Sequence, residues 1–162
     1  MSATTNDAAH AHHDEHAHHP AGLMRWVTTT NHKDLGTLNL WFSFAMFIVG
    51  GIMALVIRAE LFQPGLQIVE PGFFNQMTTL HGLIMVFGAI MPAFVGFANW
   101  QIPMMIGAAD MAFPRRNNWS FWLLPPAAML LVSSLFVPGG AAGTGWTLYA
   151  PLTVQMGPGM DL

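Results

Sequence analysis

One histidine stands where an ionisable ring is costly. His81 lies in "FFNQMTTLHGLIMVFGAIMPAFVG", an otherwise apolar stretch. An imidazole in such a segment needs a partner in protein, water or a cofactor. It can close an interhelical hydrogen bond or, as a neutral ring, ligate haem iron or copper. Gly82 follows it and Gly88 lies near the same helical seam, so a flat macrocycle or a second helix can approach closely. Spacing alone does not choose between these.

Two further groups carry chemistry. Arg58 closes the preceding apolar run, and His81 lies about two turns, or ~12 Å, into the next. If the two runs are antiparallel helices, both groups serve one outer-leaflet pocket. The arginine there either snorkels to the interface or donates guanidinium hydrogen bonds to a cofactor's oxygen. Asp110 follows His81 by an interval equal to ~43 Å of ideal helix, which sets the two near opposite membrane faces. Asn99, Asn117, Asn118 and Ser120 surround it. Together they read as a solvated turn, or as the mouth of a water-filled proton path with amides and a hydroxyl ordering water. Composition alone favours the turn. The remaining conspicuous group is "HAHHDEHAHH" near the N-terminus. Its histidines have no fixed geometry, so a soluble tail accounts for them more simply than metal scavenging does.

The elements that must position these groups are membrane helices. The chain has 162 residues, 53% of them hydrophobic and only 8% charged. A soluble domain carries about a quarter charged residues. A membrane span needs about 20 mostly apolar residues. Three stretches qualify: residues 35–60, 73–107 and 118–137, followed by a Gly/Pro-rich outer loop, 138–162. The second exceeds a ~30 Å hydrocarbon core, so it tilts or projects. Pro92, Pro103, Pro125 and Pro126 mark kinks. Residues 1–27 read as a disordered histidine-rich tail with no signal-peptide pattern. Arg25, Lys33, Arg115 and Arg116 flank one set of helix ends and Arg58 the other, which puts the N-terminus in the cytoplasm. The absence of cysteine excludes disulfides and thiolate sites, and a net charge of -3 gives nucleic acid no attraction. Three helices with so many polar and Gly/Pro interruptions read as a piece of a longer polypeptide.

Several blocks together resemble subunit I of the A-type haem-copper oxidases, the bacterial cytochrome c oxidase group. They are "TTNHKDLGTLNLWF", "VIRAELFQPG", "TTLHGLIMVFGAIMP", "NWQIPMMIGAADMAFPRRNNWSFWLLPP" and "GAAGTGWTLYAPL". The resemblance implies an all-α, polytopic membrane bundle in which these three transmembrane helices are the start of a subunit of about twelve. It implies that His81 is one axial ligand of a low-spin haem, expected to be haem a, with the other ligand on a later helix. Arg58 then bonds the haem's formyl group, and Trp146 lies near the propionates. Asp110 opens the proton-uptake path, with Asn99, Asn117 and Ser120 ordering water. Glu60, Gln63 and Gln67 fall where some members bind calcium.

The high-spin haem, the copper and all catalytic residues belong to later helices of the full subunit, so this stretch alone is not expected to be active. The expected partners are the rest of subunit I, subunits II and III, cytochrome c through subunit II, and membrane lipid, in the bacterial plasma membrane. The implied activity is electron transfer from cytochrome c to oxygen coupled to proton pumping. Two alternatives stay open: a quinol oxidase subunit I, and a non-enzymatic helical membrane protein with a structural histidine. Asn39 stands where many members have tyrosine and Ala109 where proline is usual.

Overall fold

The computed structural model describes residues 22–154. Among the described residues every regular element is helical. In chain order these are α1 (Leu23–Val27), α2 (His32–Glu60), α3 (Pro71–Leu83), a π-helical stretch (Ile84–Ile90), α4 (Met91–Met105) and α5 (Pro114–Ser133). Single 3-10 turns follow at Ser134–Phe136 and Leu152–Val154. Three helical spans are long and apolar enough to cross a membrane: His32–Glu60, Pro71–Met105 and Pro114–Phe136.

Each span starts a few residues before its apolar pattern does, at a helix-starting residue. Asn31 caps α2, its side-chain oxygen accepting the Lys33 N–H at 2.9 Å. Pro71 and Pro114 open α3 and α5, where a missing N–H costs nothing. Asp34 in the first turn of α2 and Arg58 in its last both complement the helix dipole.

The second span is continuous but not uniform. Pro92 has no N–H to offer the carbonyl four residues back, and its ring crowds that turn. The backbone just ahead of it is wound in wider π turns rather than simply kinked. Ser43 on α2 donates its hydroxyl to the Ala89 carbonyl of this stretch at 2.7 Å, from a buried position. In a membrane such a cross-helix bond satisfies polar groups that lipid cannot.

Close approach of α2 to the second span depends on glycine. A Cβ on Gly36 would lie 2.9 Å from the Gly96 carbonyl oxygen, and one on Gly96 3.0 Å from the Gly36 oxygen. Further along, a Cβ on Gly50 would meet Met85 Sδ at 2.7 Å, and one on Gly88 Met46 Cγ at 3.1 Å. Small residues at such crossings let two backbones pack without a side chain between them. α5 leans on α2 through an edge-to-face contact of Phe42 and Phe121, centroids 6.3 Å apart. The core of Met53, Met77, Leu80, Ile84 and Ala141 sits towards the ends of the first two spans that the α2–α3 turn joins, and includes a residue of the loop that follows α5. Most of the other large apolar side chains, Trp41, Phe44, Phe94 and Met129 among them, face outward.

Residues 23–27, assigned by composition to the tail, form a helical turn, while 1–21 lie outside the described residues. That turn is tied down. Trp122 Nε1 donates to the Val27 carbonyl at 3.1 Å, and Asn118 donates to the Thr29 carbonyl at 2.7 Å. Asp34 accepts from Arg25 and from the Thr29 hydroxyl.

The glycine seam generates a test. In the complete polypeptide, Gly36→Val should lower the thermal midpoint through overpacking of roughly 1–3 kcal/mol. Gly51→Ala, where a Cβ meets nothing within 4 Å, should melt at or slightly above the parent. Equal melting of the two variants would rule out the seam as the packing determinant.

Candidate functional site

Near the turn that joins α2 to α3, α3 presents His81 towards α2. Its Nδ1 is 2.9 Å from the Gly50 carbonyl oxygen, and the ring is half-buried. A carbonyl only accepts, so in this bond the proton sits on Nδ1. Nε2 is then left as a lone-pair donor, the arrangement found when an imidazole ligates a metal and a backbone carbonyl orients it. The interhelical hydrogen bond and the ligand role, which the sequence left as alternatives, are therefore compatible: one nitrogen serves each. Gly82, the next residue, has no side chain, and Trp146 packs against it: a Cβ there would lie 2.8 Å from the Trp146 Cβ. Trp146 itself is 50% exposed, so much of its ring has no protein cover among the described residues.

Arg58 lies two turns outward from Gly50 on α2, about 12 Å along the axis and about 80° round it. It is exposed and has no salt bridge among the described residues. The structure thus brings His81, Gly50, Gly82 and Trp146 into one cluster and leaves Arg58 above it at the same membrane face.

In the turn between α2 and α3, Glu60 anchors the backbone. Its carboxylate is 6% exposed. One oxygen accepts the Gln67 N–H at 2.9 Å, and the other those of Ile68 at 2.6 Å and Val69 at 3.0 Å. Three convergent N–H groups are the surroundings of an anion. The Gln67 amide nitrogen donates to the Pro64 carbonyl at 3.2 Å, and Gln63 is exposed. The carboxylate organises the turn between α2 and α3.

At the opposite end of the helices α4 stops at Met105 and the chain turns back through residues 106–113, so that α5 returns mainly against α2. Asn117 donates to Asn99 Oδ1 at 2.9 Å and to Met111 Sδ at 2.7 Å. Asp110, adjacent to Met111, is exposed and accepts the Met111 N–H at 2.7 Å. The helix does not run the ~43 Å that a straight continuation would give. Asn99, to which this cluster is tied, is about 27 Å along the axis from His81. Asn99 Nδ2 is buried with no partner among the described residues, a donor that calls for water. Ser120 is exposed and makes no hydrogen bond to this set among the described residues. Asn39 is 2% exposed, and its amide donates to the Leu35 carbonyl of its own helix.

His32 joins this cluster without having been singled out by sequence. It is 6% exposed, and its Nδ1 donates to the Asn99 carbonyl at 3.1 Å. The available signal was an imidazole within one turn of the start of a membrane helix. Its polar neighbours in "TTNHKD" made it look solvated.

The geometry defines a polytopic helical membrane protein with an oriented imidazole towards one end of the helices and a cluster of amides beside an exposed carboxylate towards the other. Residues 34–162 match the family described as Cytochrome C and Quinol oxidase polypeptide I, and the chain belongs to that family. It is 50% identical over 139 residues to a Streptomyces avermitilis protein whose name carries the words cytochrome c oxidase subunit 1-beta, covering 85% of this chain and 25% of that one. It is 48% identical over 133 residues to cytochrome c oxidase subunit 1 of Corynebacterium diphtheriae, covering 81% and 24%. With the Corynebacterium glutamicum subunit 1 the identity is 46% over 138 residues, covering 84% and 24%. The chain spans about a quarter of the length of the curated relatives it matches.

The Glu60 arrangement makes a prediction. Glu60→Gln replaces one acceptor oxygen with an NH2 group, so hydrogen exchange at Gln67, Ile68 and Val69 should quicken several-fold. Adding a divalent-cation chelator to the parent should leave those amides unchanged. Chelator-dependent exchange would favour the cation reading.

Proposed function

We propose that this chain is the N-terminal part of the catalytic subunit of a cytochrome c oxidase, with His81 as an axial ligand of its low-spin haem. The observation that carries the reading is the bond from His81 Nδ1–H to the Gly50 carbonyl, which leaves Nε2 as the ligating atom and fixes the plane of the ring. The surroundings are compatible with a flat macrocycle: Gly82 lets Trp146 seat closely on α3 next to His81, and the uncovered part of the Trp146 ring offers a wall. Haem bound there supplies one-electron iron chemistry. The chain's own contribution is to orient the imidazole, exclude water with the Met77–Leu80–Ile84 core, and offer the Arg58 guanidinium to an oxygen on the haem's periphery.

At the inner face we assign Asp110 to proton collection. Asn99 and Asn117 hold water below it through the unpartnered Asn99 Nδ2, and Ser120 belongs to the wider entrance. In the whole subunit, electrons from cytochrome c pass through the low-spin haem to a high-spin haem and copper on later helices. Oxygen is reduced to water there and protons are pumped. The N-terminus lies in the cytoplasm of a bacterium, and subunits II and III are the expected partners. Quinol as electron donor is the second reading, because the family description embraces both donors.

Two outcomes are expected in the complete subunit. His81→Ala should abolish the low-spin haem's optical band, and an unchanged spectrum would exclude the ligand role. Asp110→Asn should slow proton uptake by roughly tenfold or more while haem content survives, since an amide cannot release a proton. Pumping at the parental rate would remove Asp110 from the path.

A further inference from the structure

The loop after α5 does not merely cross the top of the bundle. It runs along α3 and touches it at three successive turns. Gly140 lies against the Gln76 side chain, Gly145 against Thr79, and Trp146 against Gly82. Ala141 and Ala142, between the first two contacts, are buried, and Ala141 belongs to the core with Met77 and Leu80. Gly145 has φ +83°, a conformation that other residues adopt only under strain.

Of these contacts the Thr79 one is a directed bond. Thr79 is 0% exposed. Its hydroxyl donates to the Asn75 carbonyl on its own helix at 2.9 Å, which aims the remaining lone pairs outward. One of them accepts the Gly145 N–H, also at 2.9 Å. Gly145 immediately precedes Trp146, and Thr79 lies one turn before Gly82. The bond therefore sets the height of Trp146 on α3, and Trp146 in turn covers Gly82 beside His81.

We propose that Thr79 is a positioning residue for the haem site: its hydroxyl clamps the Gly145 amide and so holds Trp146 over Gly82, the residue that follows His81 on α3. The proposal rests on the assignment of His81 as haem ligand. Thr79 touches neither haem nor ligand; it acts through Trp146. Without the hydroxyl, the glycine-rich loop keeps its apolar contacts but loses the bond that fixes its register along the helix. A ring that is already half uncovered is then free to change its tilt.

The test uses the complete oxidase. Thr79→Val preserves shape and removes the hydroxyl; Thr79→Ser keeps the hydroxyl. Thr79→Val is expected to retain parental haem content while shifting the low-spin haem's optical band and midpoint potential, and Thr79→Ser to restore both. A parental band and potential in Thr79→Val would overturn the inference. So would equal shifts in the two variants, which would point to the methyl group rather than the hydroxyl. In a Trp146→Phe background, Thr79→Val should add no further shift; a full additional shift would show that it acts by another route and overturn the inference. Should Thr79→Val fail to assemble, Trp146→Phe decides alone: a shifted band upholds the inference and a parental band overturns it. His81→Ala run alongside separates the two levels. Loss of the low-spin band there with a silent Thr79→Val defeats this inference only, whereas a low-spin band that survives His81→Ala defeats the haem assignment as well.

Discussion

The structure depends on how closely α2 and the second span can approach. At Gly36/Gly96 a single added carbon would meet the facing backbone and force the helices apart, while at Gly50 and Gly88 it would displace the Met85 and Met46 side chains that pack there. Only at this separation can an imidazole on one helix reach a backbone carbonyl on the other. It happens twice: His32 to Asn99 near the start of α2, and His81 to Gly50 near the α2–α3 turn. The chain from His32 to Gly50 is as long as that from His81 to Asn99, so the two bonds close the antiparallel pair like rungs about 27 Å apart. A slip of one residue would break both, together with the Ser43 bond between them. Register, tautomer and site geometry are thus one constraint.

That constraint separates two kinds of chemistry across the membrane. The His81 rung leaves a lone pair on a half-buried ring, next in sequence to a glycine covered by a partly exposed tryptophan. The His32 rung leaves a network of amides with one buried donor that has no partner among the described residues, tied to a loop that carries an exposed carboxylate. In lipid, polar groups persist only where protein or water satisfies them. The first arrangement suits a metal-bearing macrocycle, and the second suits ordered water. Even the most buried span has only 33% of its apolar window covered. The large aromatic faces left open are what lipid and the other helices of a subunit of this family would cover.

The parts of this legible in the sequence were those with a strong physical signal. Long apolar runs gave three spans, because hydropathy reports burial in lipid directly. His81 stood out because its surroundings are otherwise apolar, and Asp110 because amides cluster around it. What escaped notice was local geometry without a compositional mark. Helix starts lie among polar capping residues, so apolar patterns begin late. The π turns before Pro92 leave the same residues in the same order as a kink would. The three N–H groups of the loop that converge on Glu60 leave no mark in composition. The distance from His81 towards Asp110 came from a straight helix, whereas the chain turns back after Met105. His32 was hidden by polar neighbours, and Ser120, grouped with the asparagines by proximity in sequence, stands apart from their hydrogen bonds.

The central claim is that one hydrogen bond between two helices aims an imidazole at iron. The most direct measurement is an experimental structure of the complete haem-loaded subunit at a resolution that defines ring orientation. The account predicts that Nε2 of His81 is bonded to the low-spin haem iron while Nδ1 remains within hydrogen-bond distance of the Gly50 carbonyl. Iron ligated through Nδ1, or a low-spin haem held by other residues with His81 still bonded only to α2, would contradict it.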